Sequence, residues 1–332
     1  MSLKKIKNIL HEMQGYEGSK IVILATTANE NHNDFHIGPV KSFSNDVAIN
    51  IVFKDLKNLN KIINFLDGKI DLFAIDTEVK SKINNLKSET KKFIKKSKSF
   101  YFKPNDYTLT SSEMFIGHLS NNQKISRALV CGLGNIGTKL ALKLLEMGIK
   151  VEFVKKSNNE KSNKIAEVIN MISSSQVKID LNENKKYLEA LDLIIFCNSN
   201  KYEIQEYLTP RITSNTIIID IGQGVIGSKS LKLFKNLGCP IYSLNSEPGF
   251  WGSYVTYKEY LYLLKGFGRK KINQNLAIIS IGMFGHKGDI LVDNINNITK
   301  CYGICDGNGG LMKDNSKLLS LRKINMIINR GN

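Results

Sequence analysis

Proline and tryptophan are scarce in this chain of 332 residues, with five of the first and one of the second. With 25 glycines and 42% hydrophobic residues, that composition excludes a disordered or fibrous protein and predicts a folded, soluble one long enough for two domains. Acidic residues are also few, 30 against 47 basic, for a net charge of +17. Such an excess raises nucleic acid or an anionic membrane as partners. The lysines, however, are spread along the chain among many asparagines and accompany no nucleic-acid motif, so neither partner is expected. The densest cluster, Lys91, Lys92, Lys95, Lys96 and Lys98, reads as the solvated face of a helix between Asn84 and Lys98.

No apolar run reaches membrane-spanning length. The start of the chain, Leu3 to Leu10, reads as an amphipathic helix rather than a signal peptide, which makes a reducing cytoplasm the expected home. The five cysteines form no zinc signature: Cys131 and Cys197 belong to apolar strands, and Cys301 and Cys305 have no histidines at ligand spacing. No metal is expected.

What the chain does have is Leu129-Val130-Cys131-Gly132-Leu133-Gly134-Asn135-Ile136-Gly137, set between an apolar strand and an amphipathic stretch from Thr138 to Gly148. A second strand, Lys150 to Val154, follows, and the whole reads as the βαβ opening of a dinucleotide-binding fold. Gly132 turns the chain out of the strand, Gly134 admits a pyrophosphate against bare backbone, and Gly137 lets helix and strand pack closely. Asn135 and Ile136 open the helix whose N-terminal N–H groups face the phosphates.

An NAD-preferring site carries Asp or Glu about 20 residues beyond the glycines. Here the chain reads Val154-Lys155-Lys156-Ser157. Cations and a hydroxyl suit a 2′-phosphate, so NADP(H) is favoured over NAD, unless Lys155 and Lys156 are two more surface lysines. Loops at the carboxyl ends of later strands line the cofactor crevice, which puts Asn198-Ser199-Asn200 and Gly222-Gln223-Gly224 near the nicotinamide half. Ordinary turn chemistry accounts for the same residues.

The periodicity predicts an α/β protein of two lobes. Residues 1–120 form an N-terminal α/β substrate lobe, with strands Ile21 to Ala25, Val47 to Phe53, Ile70 to Ile75 and Phe100 to Phe102 and a helix near Leu56 to Leu66. A connecting helix begins around Thr108 to Ser112. Residues 121–260 form a doubly wound Rossmann domain, with strands Leu193 to Cys197, Thr216 to Ile221 and Ile241 to Leu244 and a weaker one at Val177 to Ile179. Residues 261–332 form a C-terminal segment returning to the interlobe cleft, with Ile290 to Val292 and Cys301 to Ile304 spaced as strands of a β-hairpin.

The glycine run, together with Leu208-Thr209-Pro210-Arg211-Ile212-Thr213 and Ile217-Ile218-Ile219-Asp220-Ile221-Gly222-Gln223-Gly224, resembles the D-2-hydroxyacid dehydrogenases and their wider group, which includes alanine dehydrogenases and S-adenosylhomocysteine hydrolases. The resemblance covers about a third of the chain and implies a bilobal enzyme that moves a hydride to or from nicotinamide in the cleft between lobes. Two departures stand out. By that match Gln223 replaces the arginine that clamps the substrate carboxylate, and the family's acid/base histidine has no counterpart in Trp251 to Lys265. The lobe order also resembles shikimate dehydrogenase and amino-acid-dehydrogenase-like proteins, in which a lysine of the first lobe serves the chemistry.

That directs attention to the polar loop from Thr26 to Pro39 and the lysine just beyond it. Hydride transfer to a carbonyl or imine needs a proton donor, and His36 or Lys41 suits the role if the loop is more than a solvated connection. A second candidate group, His286 with Lys287 and Asp289, sits in the glycine-rich stretch Gly282 to Asp289, which reads equally as a tight β-turn. Ser246 to Trp251 forms either an aromatic wall of the cleft or a buried hinge. The expected function is a reductase or dehydrogenase using NADP or NAD on a small polar carbonyl, hydroxyl or imine compound, with a homodimer expected by analogy with two-lobed dehydrogenases. The alternative is a non-redox dinucleotide-binding protein, a ligand sensor or an enzyme that retains its NAD.

Overall fold

A computed structural model describes residues 3–27, 35–79, 86–153, 160–173, 180–181, 189–274 and 276–313. The chain divides into two compact units, Met1–Ser253 and Tyr254–Asn332. The first unit holds two sheets, each of six strands.

The first sheet is built from β1 (Lys20–Thr26), β2 (Phe35–Ile37), β3 (Lys41–Phe43), β4 (Asp46–Phe53), β5 (Leu72–Asp76) and β6 (Lys98–Phe102). Its order is β2-β4-β1-β5-β6, with β3 also on β4. The four long strands run parallel, while β2 and β3 lie antiparallel along the outer edge of β4. Helices α1 (Leu3–Gln14), α2 (Leu59–Leu66) and α3 (Leu86–Phe93) accompany it. One face is the core: Val47, Ile49, Ile51 and Phe53 of β4 bury against Ile6, Leu10 and Met13 of α1 and Ile62, Ile63 and Leu66 of α2. The other face carries Ala48, Asn50 and Val52, as period-two alternation requires.

Three sequence expectations shift here. The polar loop is in part a strand, because Ile37 reaches the core and residues 35–37 pair with the open edge of β4. The helix expected as far as Lys98 ends at Phe93: the Asp67 carboxylate accepts the N–H groups of Lys95, Lys96 and Ser97 and turns the chain, leaving Lys98 to open β6. The connecting helix α4 (Pro104–Ser120) starts at Pro104, where a missing N–H and a fixed φ suit the first turn.

The second sheet comprises β7 (Arg127–Cys131), β8 (Lys150–Phe153), β9 (Asp180–Leu181), β10 (Leu193–Phe196), β11 (Ile217–Asp220) and β12 (Ile241–Ser243). All are parallel in the order β12-β11-β10-β7-β8-β9, the doubly wound Rossmann arrangement with its switch point between β7 and β10. Helices α5 (Asn135–Glu146), α6 (Glu160–Ile172) and α7 (Ser228–Asn236) cross between strands. Leu140, Ala141, Leu144 and Leu145 of α5 are fully buried against the sheet. The weak strand expected at Val177 to Ile179 lies outside the described residues; β9 follows at Asp180.

A buried ion network braces this domain. Glu152 on β8 receives Arg211 through both terminal nitrogens, at 2.8 and 2.7 Å, and Arg127 of β7 at 2.9 Å. Arg211 also donates its Nε to the Glu189 carbonyl, and Arg127 pairs with the Glu189 side chain.

After β12 the helix α8 (Glu247–Lys265) begins. The second unit contributes β13 (Arg269–Asn273), β14 (Leu276–Ser280), β15 (Ile290–Val292) and β16 (Cys301–Ile304), in that spatial order. The strands expected at 290–292 and 301–304 pair antiparallel. Between β14 and β15, Asp289 anchors a glycine-rich turn by accepting Arg269 through Nε and a terminal nitrogen at 2.7 and 2.8 Å and the His286 N–H at 2.9 Å. No described helix is long and apolar enough to cross a membrane.

Candidate functional site

The turn leaving β7 has the form that a pyrophosphate requires. Gly132 holds a φ of +107°, and a Cβ there would lie 3.0 Å from the Asn198 nitrogen. A Cβ at Gly137 would overlap the Gly132 carbonyl oxygen, so the helix seats flush on the turn. At Gly134, in contrast, a side chain would meet nothing within 4 Å, because the backbone faces open space. Gly134 is also the N-cap of α5 and makes no side-chain cap bond, and the first intrahelical bond runs from Thr138 to Gly134. The N–H groups of Asn135, Ile136 and Gly137 therefore have no partner within the helix and suit an anion.

The turns after β10 and β11 close around the same edge. A Cβ at Gly222 would stand 2.5 Å from the Asn198 carbonyl oxygen, so Asn198 is wedged between Gly132 and Gly222. Its Oδ1 is buried without a hydrogen-bond partner. Asp220, the last residue of β11, uses Oδ2 to accept the N–H groups of Gly224 at 2.6 Å and Val225 at 3.2 Å, while its buried Oδ1 has no partner. Two acceptors left open at one sheet edge fit a ligand that brings hydroxyl or amide donors. Beneath them, burial and the Asp220 charge push the Cys197 thiol up to about 12, which leaves it protonated and a packing residue.

On the first lobe, register brings the candidate proton donors to one face. His36 lies opposite Val52 and Lys41 opposite Ala48, so both share the face of β4 that carries Asn50. Asn50 sits between them, roughly 7 Å along the strand from each neighbouring position. The residue across from it is Gly38, whose N–H bonds the Asn50 carbonyl at 2.8 Å and which has no side chain to fill the space. The Asn50 Oδ1 is buried and has no hydrogen-bond partner. Farther along the same face, Asp76 ends β5, almost wholly buried, with Oδ2 accepting from Thr26 and Oδ1 from the Glu78 N–H. Burial, with the Asp76 and Glu78 charges, pushes the nearby Tyr107 hydroxyl up to about 12.

The first turns of α8 lie across this face. Lys41 pairs with Glu247 at 3.4 Å, Phe43 stacks on Trp251 with centroids 5.5 Å apart, and Phe102 meets Phe250 edge-on at 6.0 Å. Trp251 is buried, its ring packed on Phe43 of the first lobe. Where α8 crosses α4, Gly249 has no room for a side chain against the Tyr107 carbonyl, and Ser111 Oγ accepts the Gly249 N–H at 2.9 Å and donates to the Ser246 carbonyl. Helix α4 in turn runs beside α5: Asp106 pairs with Lys139 at 2.7 Å, and Glu113 pairs with Lys143. Since α4 starts at the carboxyl end of β6 and α5 at the carboxyl end of β7, the carboxyl edges of both sheets lie at the same end of this helix pair.

Of the residues singled out from sequence, Gly132, Gly134, Asn135, Ile136, Gly137, Asn198 and Gly222 share the nucleotide-sheet edge, and His36 and Lys41 share the first-lobe face. Lys155, Lys156 and Ser157 lie outside the described residues. His286 is exposed in the turn between β14 and β15 of the second unit. Sequence reading passed over Asn50, whose signal was a lone amide in the apolar run Val47 to Phe53, and Asp220, which closes an all-isoleucine strand. It also gave Glu247 no chemical role, because only the fold brings that residue to Lys41. Among the described residues no three His, Cys, Asp or Glu side chains cluster in a way that would hold a metal ion.

Residues 127–224 match the model of a family described as NADP oxidoreductase coenzyme F420-dependent. No curated protein matches the chain. Among solved structures, it is similar to CAD from Helicobacter pylori complexed with NADP(H), at 19% identity and a TM-score of 0.33, over 52% of this chain and 46% of that one, so it spans about half of that protein's length. Quinate dehydrogenase from Corynebacterium glutamicum in complex with NAD is similar at 14% identity and a TM-score of 0.40, over 70% of this chain and 89% of the other. Shikimate 5-dehydrogenase from Listeria monocytogenes in complex with shikimate and NAD is similar at 12% identity and a TM-score of 0.42, over 73% and 96%.

Proposed function

We propose that the chain is a nicotinamide-dependent oxidoreductase, preferring NADP(H), that interconverts a small polar carbonyl or imine and the corresponding alcohol or amine. The observation that carries this reading is the open glycine turn with free helix N–H groups at the carboxyl edge of the nucleotide sheet, beside the unpartnered acceptors of Asn198 and Asp220. Gly132, Gly134 and Gly137 give the pyrophosphate its path, and Asn198 and Asp220 offer acceptors to ribose hydroxyls or the carboxamide. Bound there, the nicotinamide supplies or accepts the hydride. The NADP(H) preference rests on Lys155, Lys156 and Ser157.

Lys41 Nζ is the proton donor to the substrate heteroatom in reduction and takes the proton back in oxidation. Glu247 holds the ammonium in place. Asn50 Oδ1 accepts a hydrogen bond from the substrate in the space opposite Gly38. Fluorescence titration with NADPH and NADH, on wild type and on a Lys155→Asp, Lys156→Ala variant, tests the coenzyme assignment. Tighter NADPH binding that the variant loses is the expected outcome, and binding of neither coenzyme refutes the reading.

A further inference from the structure

The second unit carries an apolar tip that packing does not explain. Met283 and Phe284 lie in the turn between β14 and β15, and a second glycine-rich turn, residues 305–311, follows β16. The two turns rest on each other with glycine at each contact. A Cβ at Gly309 would stand 2.7 Å from the Phe284 ring, one at Gly307 would stand 3.1 Å from the Lys287 Cβ, and one at Gly285 would overlap the Cys305 sulfur. Phe284 and Lys287 thus sit side by side on one turn. Phe267, just past the end of α8, lies against Gly282, and Leu311 lies against Gly303.

Phe284 is nevertheless 84% exposed, and Leu264, Phe267, Met283 and Leu311 are exposed with it. Single apolar side chains on a surface need no explanation, but five linked through these contacts form a patch, and such a patch marks a binding surface. The charges at its rim are of one sign. Lys265 closes α8 beside Leu264, Lys287 shares a turn with Phe284, and Lys313 follows Leu311 by two residues; all three are exposed. The aspartates of this unit serve its own turns. Asp289 accepts Arg269 and the His286 N–H, Asp293 accepts the Thr299 hydroxyl and the Lys300 N–H, and Asp306 accepts the N–H groups of Asn308 and Gly310. Of the described acidic residues in this unit that leaves Glu259, six residues before Lys265 on α8.

We propose that this face of the second unit binds an anionic lipid surface, with Met283 and Phe284 entering the acyl boundary and Lys265, Lys287 and Lys313 at the level of the headgroup phosphates. An apolar tip inside a cationic rim matches the layering of a bilayer interface. A projecting ring finds room in lipid without a matching pocket. A second copy of this chain fits the patch less well, because two-fold pairing would set the same lysines against one another. The attachment is peripheral and reversible, a small apolar insertion joined to a few cations. It is independent of the coenzyme reading.

Flotation of the full chain with vesicles of phosphatidylcholine and phosphatidylglycerol in equal parts, and with vesicles of phosphatidylcholine alone, tests the proposal. The chain is expected to float with the mixed vesicles and about tenfold or more weakly with the neutral ones. Met283→Ser with Phe284→Ser should weaken binding by about tenfold or more and leave Tm unchanged. Reversing Lys265, Lys287 and Lys313 to Glu should do the same, whereas reversing Lys91, Lys95 and Lys98 of the first lobe, an equal change in net charge, should have a much smaller effect. Absence of flotation with the mixed vesicles overturns the proposal. So does full binding by the serine variant, or an equal loss from the two sets of lysines, since either assigns the adsorption to overall charge. A Tm drop of several degrees in the serine variant gives the tip a packing role instead, and a dimer in sedimentation equilibrium that the serine variant dissolves gives the patch to a second copy.

Discussion

The Lys41 ammonium stands 3.4 Å from the Glu247 carboxylate, with one residue on an edge strand of the first lobe and the other at the start of the helix that follows the last strand of the nucleotide sheet. Both side chains are about a quarter to a third exposed. The pair therefore contributes little to stability. In the proposed reaction its consequence is orientation of the proton donor.

Replacing Lys41 with Met should lower kcat by about 10²–10⁴, the usual range for a general acid, and leave NADPH affinity intact. Steady-state kinetics beside a coenzyme titration measures both. An equal loss of coenzyme binding would move Lys41 from the chemistry to the cofactor.

Gly134 and Gly137 should respond oppositely to added bulk. Gly134→Val puts a side chain into empty space on backbone of ordinary extended φ, so the melting temperature should hold while coenzyme binding disappears. Gly137→Ala forces a carbon onto the Gly132 carbonyl and should cost about 1–3 kcal/mol or more in stability. Circular dichroism melts and fluorescence titration separate the two.

Truncating Asn50 to Ala removes a buried acceptor that has no partner, so the fold should lose little or gain slightly. Substrate KM should rise by about tenfold, since a hydrogen bond to a bound ligand is worth roughly 1 kcal/mol or somewhat more. A marked fall in stability would show that the amide serves the lobe instead.

Acid should strike the nucleotide domain through Glu152. Burial works to raise its pKa, but the hydrogen bonds and charges of Arg211 and Arg127 outweigh burial and hold it below its ordinary 4.5. The folded state thus gains stability above 4.5 that is lost as pH falls through the depressed folded value. Arg211→Met should cost about 3–5 kcal/mol at neutral pH by leaving a buried carboxylate short of its partner, and should flatten the acid limb of a stability–pH curve.

Much of the architecture was legible because it depends on local pattern. The strand, glycine turn and helix from Arg127 to Glu146 follow from periodicity and from glycines with distinct steric jobs. Long-range pairing was not legible. Phe35–Ile37 has too few residues to show alternation and becomes a strand only because β4 offers an open edge. The end of α3 is set by Asp67, nearly thirty residues earlier in the chain. In the site, Lys41 and Asn198 could be named from their neighbours, but the partnership of Lys41 with Glu247 spans two lobes. Asn50 gains its meaning from Gly38 across the strand pair, and composition carries no trace of that pairing.

The seating of α8 across the first sheet limits how this protein can be cut. Phe250 and Trp251, at 3% and 4% exposure, follow the last strand of the nucleotide sheet in the chain yet complete a face of the first lobe, where Phe102 and Phe43 receive them. A fragment starting at residue 121 would carry these two rings bare, and a fragment ending at residue 120 would lack their cover. The lobes are thus not exchangeable cassettes. A chimera that swaps the first for another substrate module must also replace the opening turns of α8, or it will present an adhesive aromatic surface and aggregate.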